Sequence, residues 1–249
     1  MLRFHEIAEG SHRILNPFTP AKYDLLAGLA DVQKGRCILD IACGKGEMLC
    51  QWSQRFGITG IGVDISKVFL AAAHARAAER GVDDRVRFIE SDGAEYLKSV
   101  TPDFDIVCCI GATWIGNGLT GTIDLLKPAL KNSQSLLLIG EPFYIDPPPP
   151  DAVKALAEAA DDMFTTLAGT LDRFEAAGLE LLEMLIADHD DWDRYEASQW
   201  KSVFTWLDAH PDDPDAPALS QWIETNRRNY LTWGRRYLGW GVFVLKLKP

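Results

Sequence analysis

The sequence predicts a doubly wound α/β fold, a seven-stranded and mostly parallel sheet with a helical cap inserted between its last two strands. Three observations predict it. Short β-branched or aliphatic runs alternate with longer helical patterns over the first 140 residues, as in a parallel sheet covered by helices on both faces. Carboxylates close three successive runs, at Asp40, Asp64 and Asp92. A tryptophan-rich helical stretch, 190–229, separates the last two runs.

Taken in order, residues 1–35 precede the first strand and read as an N-terminal helical lid. The core, 36–141, holds strands at 36–42, 58–63, 86–91, 104–110 and 135–140. Helices fall between them at 47–56, 66–80 and around 122–127, where Pro128 stops the last. Right-handed crossovers then bring the strand carboxyl ends to one edge, where such sheets bind ligands. After Pro150 the pattern changes. Residues 151–167 read as a helix, 171–177 as a short helix stopped by Gly178, and 179–187 as a strand. The helical stretch 190–229 breaks at the proline-rich turn 211–217, and 240–248 is the closing strand. The chain 1–249 thus reads as one domain, with a C-terminal part, 146–236, that carries the cap.

The formal net charge of -11 disfavours nucleic acid and anionic membrane as partners. Arg227, Arg228, Arg235 and Arg236 form one local basic group, read as a solvated helix surface against the acidic background. The opening Met-Leu-Arg-Phe-His-Glu has no apolar signal region, and the longest apolar stretches are far too short to span a bilayer. Five irregularly spaced cysteines suit reduced thiols in the cytoplasm, and scattered histidines disfavour a metal site.

The strongest motif is Ile38-Leu-Asp-Ile-Ala-Cys-Gly-Lys-Gly-Glu-Met-Leu49. A hydrophobic strand ends in Asp40, passes through Ala42, Cys43, Gly44 and Gly46, and enters a helix. Small residues let a ligand approach the backbone, and the helix start offers free N–H donors. A dinucleotide fingerprint would need a glycine where Leu49 stands, and a phosphate loop would need Ser or Thr after Lys45. Asp64, followed by Ile65, ends the second strand, where an acid can accept from both hydroxyls of a ribose. Asp92, followed by Gly93 and Ala94, ends the third. It can accept from an exocyclic amine of adenine, or simply cap a helix.

Asp40-x-Ala-x-Gly-x-Gly46, Asp64 and Ser91-Asp92 together resemble the class I S-adenosylmethionine-dependent methyltransferases, whose fold is Rossmann-like. His12-Arg-Ile-Leu-Asn-Pro-Phe-Thr19, Gly111-Ala-Thr-Trp-Ile115, Gly140-Glu-Pro-Phe143, Trp192-Asp-Arg-Tyr195 and Gly239-Trp-Gly-Val-Phe243 are similar to the YjhP-like branch of the small-molecule (type 11, UbiE-like) methyltransferases. That resemblance implies S-adenosyl-L-methionine as cofactor and in-line methyl transfer to a small-molecule acceptor, with Gly111 beside the cofactor's methionine part. Ala42 stands where the family often has glycine, and alanine is still small enough for close approach.

On the acceptor side, Trp114 is either a pocket wall or a core residue. Glu141 is the candidate for acceptor orientation or proton abstraction, against an exposed loop carboxylate before Pro142. His12 is a candidate on the lid, and Trp192 and Tyr195 are candidates at the start of the cap. Two other classes stay open: a non-catalytic domain that binds S-adenosylmethionine as sensor or scaffold, and a nicotinamide-dependent oxidoreductase, which Leu49 and Asp40 disfavour.

Overall fold

Strand β1 (Cys37–Ile41) is apolar on both faces because both are covered: Ile38 packs into one layer, and Leu39 and Ile41 into the other. The computed structural model describes residues 2–156 and 164–248. Around β1 lie β2 (Thr59–Asp64), β3 (Val86–Glu90), β4 (Ile106–Ile110), β5 (Leu136–Tyr144), β6 (Leu179–Ile186) and β7 (Leu238–Leu247), in the order β3-β2-β1-β4-β5-β7-β6. The sheet is parallel from β3 to β5, and β7 runs antiparallel to both β5 and β6. The seven strands and the mostly parallel order are those expected, and the carboxyl ends of β1, β2 and β3 share one edge.

Helices cover both faces. On one side α2 (Pro20–Leu29), α3 (Glu47–Phe56) and α4 (Lys67–Arg80) bury Leu26, Leu49, Trp52 and Leu70. On the other, α6 (Leu119–Leu126) and α8 (Leu167–Ala176) bury Ile123, Leu126 and Phe174. The local signals are ordinary ones. Thr19, Ser66 and Thr166 accept backbone N–H bonds as N-caps of α2, α4 and α8, and Gly57 and Gly81 end α3 and α4 in left-handed conformations. Helix α5 (Gly93–Leu97) begins at Asp92.

The third layer joins opposite ends of the chain. Helices α9 (His189–Ala209) and α10 (Ala216–Asn229) fold against each other across the 211–217 turn, and α1 (Leu2–Ala8) packs on them. Ala8, Val203, Leu219 and Ile223 are buried there, with Phe4, Trp200, Trp206 and Trp222 around them. This small core is separate from those on the two sheet faces. The buried aliphatic side chains Val203, Leu219 and Ile223 contribute on the order of 1.5–3 kcal/mol each, and the partly buried rings pack around them.

Three boundaries differ from expectation. The helix expected over 151–167 is seen as α7 (Pro150–Leu156), its stretch 157–163 lies outside the described residues, and α8 starts only at Leu167 because Thr166 caps it and bridges to Tyr144. The fourth strand begins at Ile106, with Phe104 making an isolated bridge to Leu130. The fifth runs four residues beyond Gly140 because β7 pairs with it as far as Tyr144.

Candidate functional site

The turn after β1 is held open by backbone conformation. Ala42, Gly44 and Gly46 all adopt positive φ, 58°, 54° and 66°. The loop is then pinned to β2: Cys43 N donates to Val63 O at 3.0 Å, and Gly44 N donates to Asp64 Oδ2 at 2.8 Å. A Cβ at Gly44 would meet Leu15 Cδ1 at 2.6 Å, and one at Gly46 would meet the Phe88 ring at 2.5 Å. These glycines are therefore set by the surrounding protein as well as by any ligand. Ala42 occupies a left-handed position that glycine fills without strain, a fact its small size alone did not reveal.

Two carboxylates face each other across this turn. Asp40 is buried, and desolvation first, then the negative charge of Asp64, push its carboxyl up to about 8. Asp64 is buried too; burial raises its carboxyl, and the Ser66 and Gly44 N–H groups oppose that rise. Asp64 Oδ1 accepts from Ser66 N at 2.8 Å, so each oxygen retains acceptor capacity. Ile65 beside it is exposed despite being a large apolar residue. At the third strand end Asp92 is exposed and accepts from Glu95 N at 3.0 Å, which makes it the N-cap of α5 and leaves its outer oxygen to solvent. Gly93 and Ala94 form the first residues of that helix. Gly111, after β4, has φ of 85° and only the Trp240 ring, 3.9 Å away, near its missing side chain. Its N–H donates to Gly140 O at 2.9 Å.

Over the turn after β1 lies a strap within the stretch 1–35 that the sequence suggests as a lid. Lys45 Nζ donates to three consecutive-turn carbonyls, Glu9 O at 2.6 Å, Gly10 O at 3.1 Å and His12 O at 2.7 Å. Glu9, fully buried, receives the Tyr195 hydroxyl at 2.6 Å and Gln199 Nε2 at 2.9 Å on one oxygen, and bonds His12 Nδ1 through the other. His12 stacks on Tyr195, and its Nε2 bonds Ser198 Oγ. Loop, strap and cap helix α9 thus form one hydrogen-bonded unit. At the other end of the strap Ser66 Oγ donates to Glu6, and His5 lies edge-on to Phe69.

The polar atoms of His12 and Tyr195 are taken up by Glu9, Ser198 and Leu15 O. Glu141 is neither an exposed loop residue nor beside Asp40. It lies inside β5, buried, on the same face as Leu137, Ile139 and Phe143, whereas Asp40 lies on the Ile38 face. Thr113 Oγ1 donates to it, and Thr122 Oγ1 in turn donates to Thr113 O. Desolvation pushes the Glu141 carboxyl up to about 7 against that hydrogen bond. It is a positioning residue for the 111–116 turn. Trp114 on that turn is 63% exposed, which excludes its core reading. Trp192, on the first turn of α9, packs against the layer that holds Cys43 and Trp240, and its buried Nε1 has no partner.

Similarity to known proteins agrees with this geometry. Residues 38–132 match a methyltransferase domain. The chain is 41% identical to the uncharacterised protein YjhP of Escherichia coli (strain K12) over 98% of its own length and 97% of that protein. A crystal structure of a SAM-dependent methyltransferase from Geobacter sulfurreducens, in complex with S-adenosyl-L-homocysteine, superposes with a TM-score of 0.92 at 40% identity, over 99% of this chain and 98% of that one. One from Thiobacillus denitrificans, also with S-adenosyl-L-homocysteine, gives 0.91 at 39% identity over the same shares.

Proposed function

The chain belongs to the S-adenosylmethionine-dependent methyltransferases, in the branch that includes YjhP, and from that premise we propose that it transfers a methyl group from S-adenosyl-L-methionine to a small-molecule acceptor. The observation that carries this reading is the pair of buried acids, Asp40 and Asp64, on either side of the Gly44–Gly46 turn. Two like charges raise each other's cost of ionisation, and a cationic ligand between them relieves it. S-adenosylmethionine, with its sulfonium and ammonium, fits that donor set, and when bound it supplies an electrophilic methyl group.

In this reading Asp64 receives the ribose hydroxyls, Ile65 packs on the adenine, and Asp92 with Gly93 and Ala94 receives the adenine amine. Asp40, Ala42, Cys43 and Gly111 surround the methionine part. Positioning supplies most of the rate, because in-line displacement needs only a correctly aimed nucleophile and exclusion of water. The strap of residues 9–18 excludes water from the loop, Glu141 fixes the Thr113 turn, and Trp114 and Trp192 present flat apolar surface to the acceptor. The cap between β6 and β7 carries acceptor specificity, and the core before Glu141 carries the cofactor. Incubation of the full chain with methyl-labelled S-adenosylmethionine and a bacterial metabolite extract should give a labelled small product. Cofactor binding without any labelled product from broad extracts would favour a sensor or scaffold that keeps the same site.

A further inference from the structure

Arg235 and Arg236 are exposed, as the sequence suggests. They border a cavity of about 480 Å³, together with Ile145, His189, Leu231 and Thr232. The cavity opens at the carboxyl edge of the sheet. Ile145 follows the last residue of β5 and donates its N–H to Tyr237 O at 2.8 Å, and His189 is the first residue of the cap helix α9. His189 and Trp192 are three apart on that helix, so they share a face of its first turn.

The lining has two characters. Ile145 and Leu231 are 45% and 60% exposed. Around them stand two guanidinium groups and an imidazole, and among the described residues no carboxylate lines the wall. In a chain of net charge -11 that is a local inversion of sign. Arg235 is held by Asp193, its Nε donating to both oxygens at 3.0 Å. Arg236 has no ion pair among the described residues, and its guanidinium lies over the Tyr237 ring, 5.1 Å from the centroid. A guanidinium with no ion pair among the described residues, beside exposed aliphatic surface, is suited to a ligand with an anionic end and an apolar body.

We propose that the cavity between the end of β5, the first turn of α9 and Arg235–Arg236 binds the anionic group of the acceptor, and that this acceptor is a small apolar carboxylate or phosphate ester. The proposal rests on the methyltransferase reading and sets its substrate class. Phenylacetate, phenyl phosphate and the neutral 2-phenylethanol serve as probes, titrated into the full chain by NMR or calorimetry with S-adenosylmethionine affinity measured in parallel. The two anions should bind and the alcohol should not, and whichever anion binds more tightly identifies the carboxylate or phosphate source. Arg236→Gln should weaken anion binding by about fivefold, the upper range for an exposed ion pair. Leu231→Ser should weaken it by a smaller factor, and both variants should keep wild-type cofactor affinity. Equal phenylacetate binding by the wild type and Arg236→Gln, or binding of 2-phenylethanol as tight as the anions, would overturn the proposal. Failure of the wild type to bind S-adenosylmethionine would instead strike the methyltransferase reading, and the anion titrations separate the two results.

Discussion

The Asp40–Asp64 edge and the cap of this protein are built on opposite principles. Around the turn after β1, the residues that matter are neighbours in sequence or lie at successive strand ends, and regular β-turn-α geometry places them. Asp64 bonds Gly44 from 20 residues away. In the strap and cap, Glu9 meets Tyr195 across 186 residues. No local rule connects those two positions. The first region follows from a local motif; the second is assembled by contacts between distant parts of the chain.

Gly44→Val should have the largest effect and break the contrast from the cofactor side. A β-branched residue is strained at φ 54°, and its Cβ must displace Leu15 of the strap. Calorimetry should show no measurable S-adenosylmethionine binding in a variant that still folds. Near-normal binding would mean that the loop and strap move freely.

Glu141→Gln probes the sheet face beneath the 111–116 turn through pH. A carboxyl raised from 4.5 to about 7 favours the folded state fully below pH 4.5, and that contribution is lost as pH rises through about 7. Denaturant titrations should therefore show the variant gaining on the wild type between pH 4.5 and 8, by about 3 kcal/mol at most. A constant difference across that range would remove the buried ionisation.

Glu9→Gln sharpens the contrast from the other side. It places an NH₂ where Glu9 now accepts from Tyr195, Gln199 and His12, at a cost of about 1–3 kcal/mol. Hydrogen exchange should accelerate in residues 9–18 and in α9 while β1, β2 and β3 keep wild-type protection. Uniform acceleration would make the strap and cap part of one cooperative core.

Ala42→Gly should have the smallest effect. Relief of a left-handed alanine should raise stability by about 1 kcal/mol, offset in part by the greater freedom of glycine in the unfolded chain. Thermal melting with unchanged cofactor affinity would support this, and a loss of stability would show that the alanine methyl has a packing role.

The sequence made the sheet legible because each strand reports its own burial: Ile38, Val63 and Val107 sit in apolar runs bounded by turn residues. It made Asp40, Asp64 and the Gly44–Gly46 turn legible for the same local reason. Glu141 was misplaced because antiparallel pairing with β7 extends β5, and that pairing depends on residues a hundred positions later. Glu9 joins Tyr195 to His12 across the fold, a link that no local pattern announces. Lys45 carried a faint signal, a cation at a buried loop position, but its three carbonyl partners lie in a segment with no motif.

The central claim is that the Asp40–Asp64 edge holds the cationic cofactor, and calorimetric titration of S-adenosylmethionine into the wild type and Asp64→Asn tests it most directly. Asparagine keeps the size of the side chain and one acceptor oxygen but removes the charge that would receive two ribose hydroxyls, a loss of about 1.5–3 kcal/mol. The account predicts tight binding by the wild type and affinity more than about tenfold weaker in a folded Asp64→Asn. Equal affinity in the two folded proteins would contradict it and place the cofactor elsewhere.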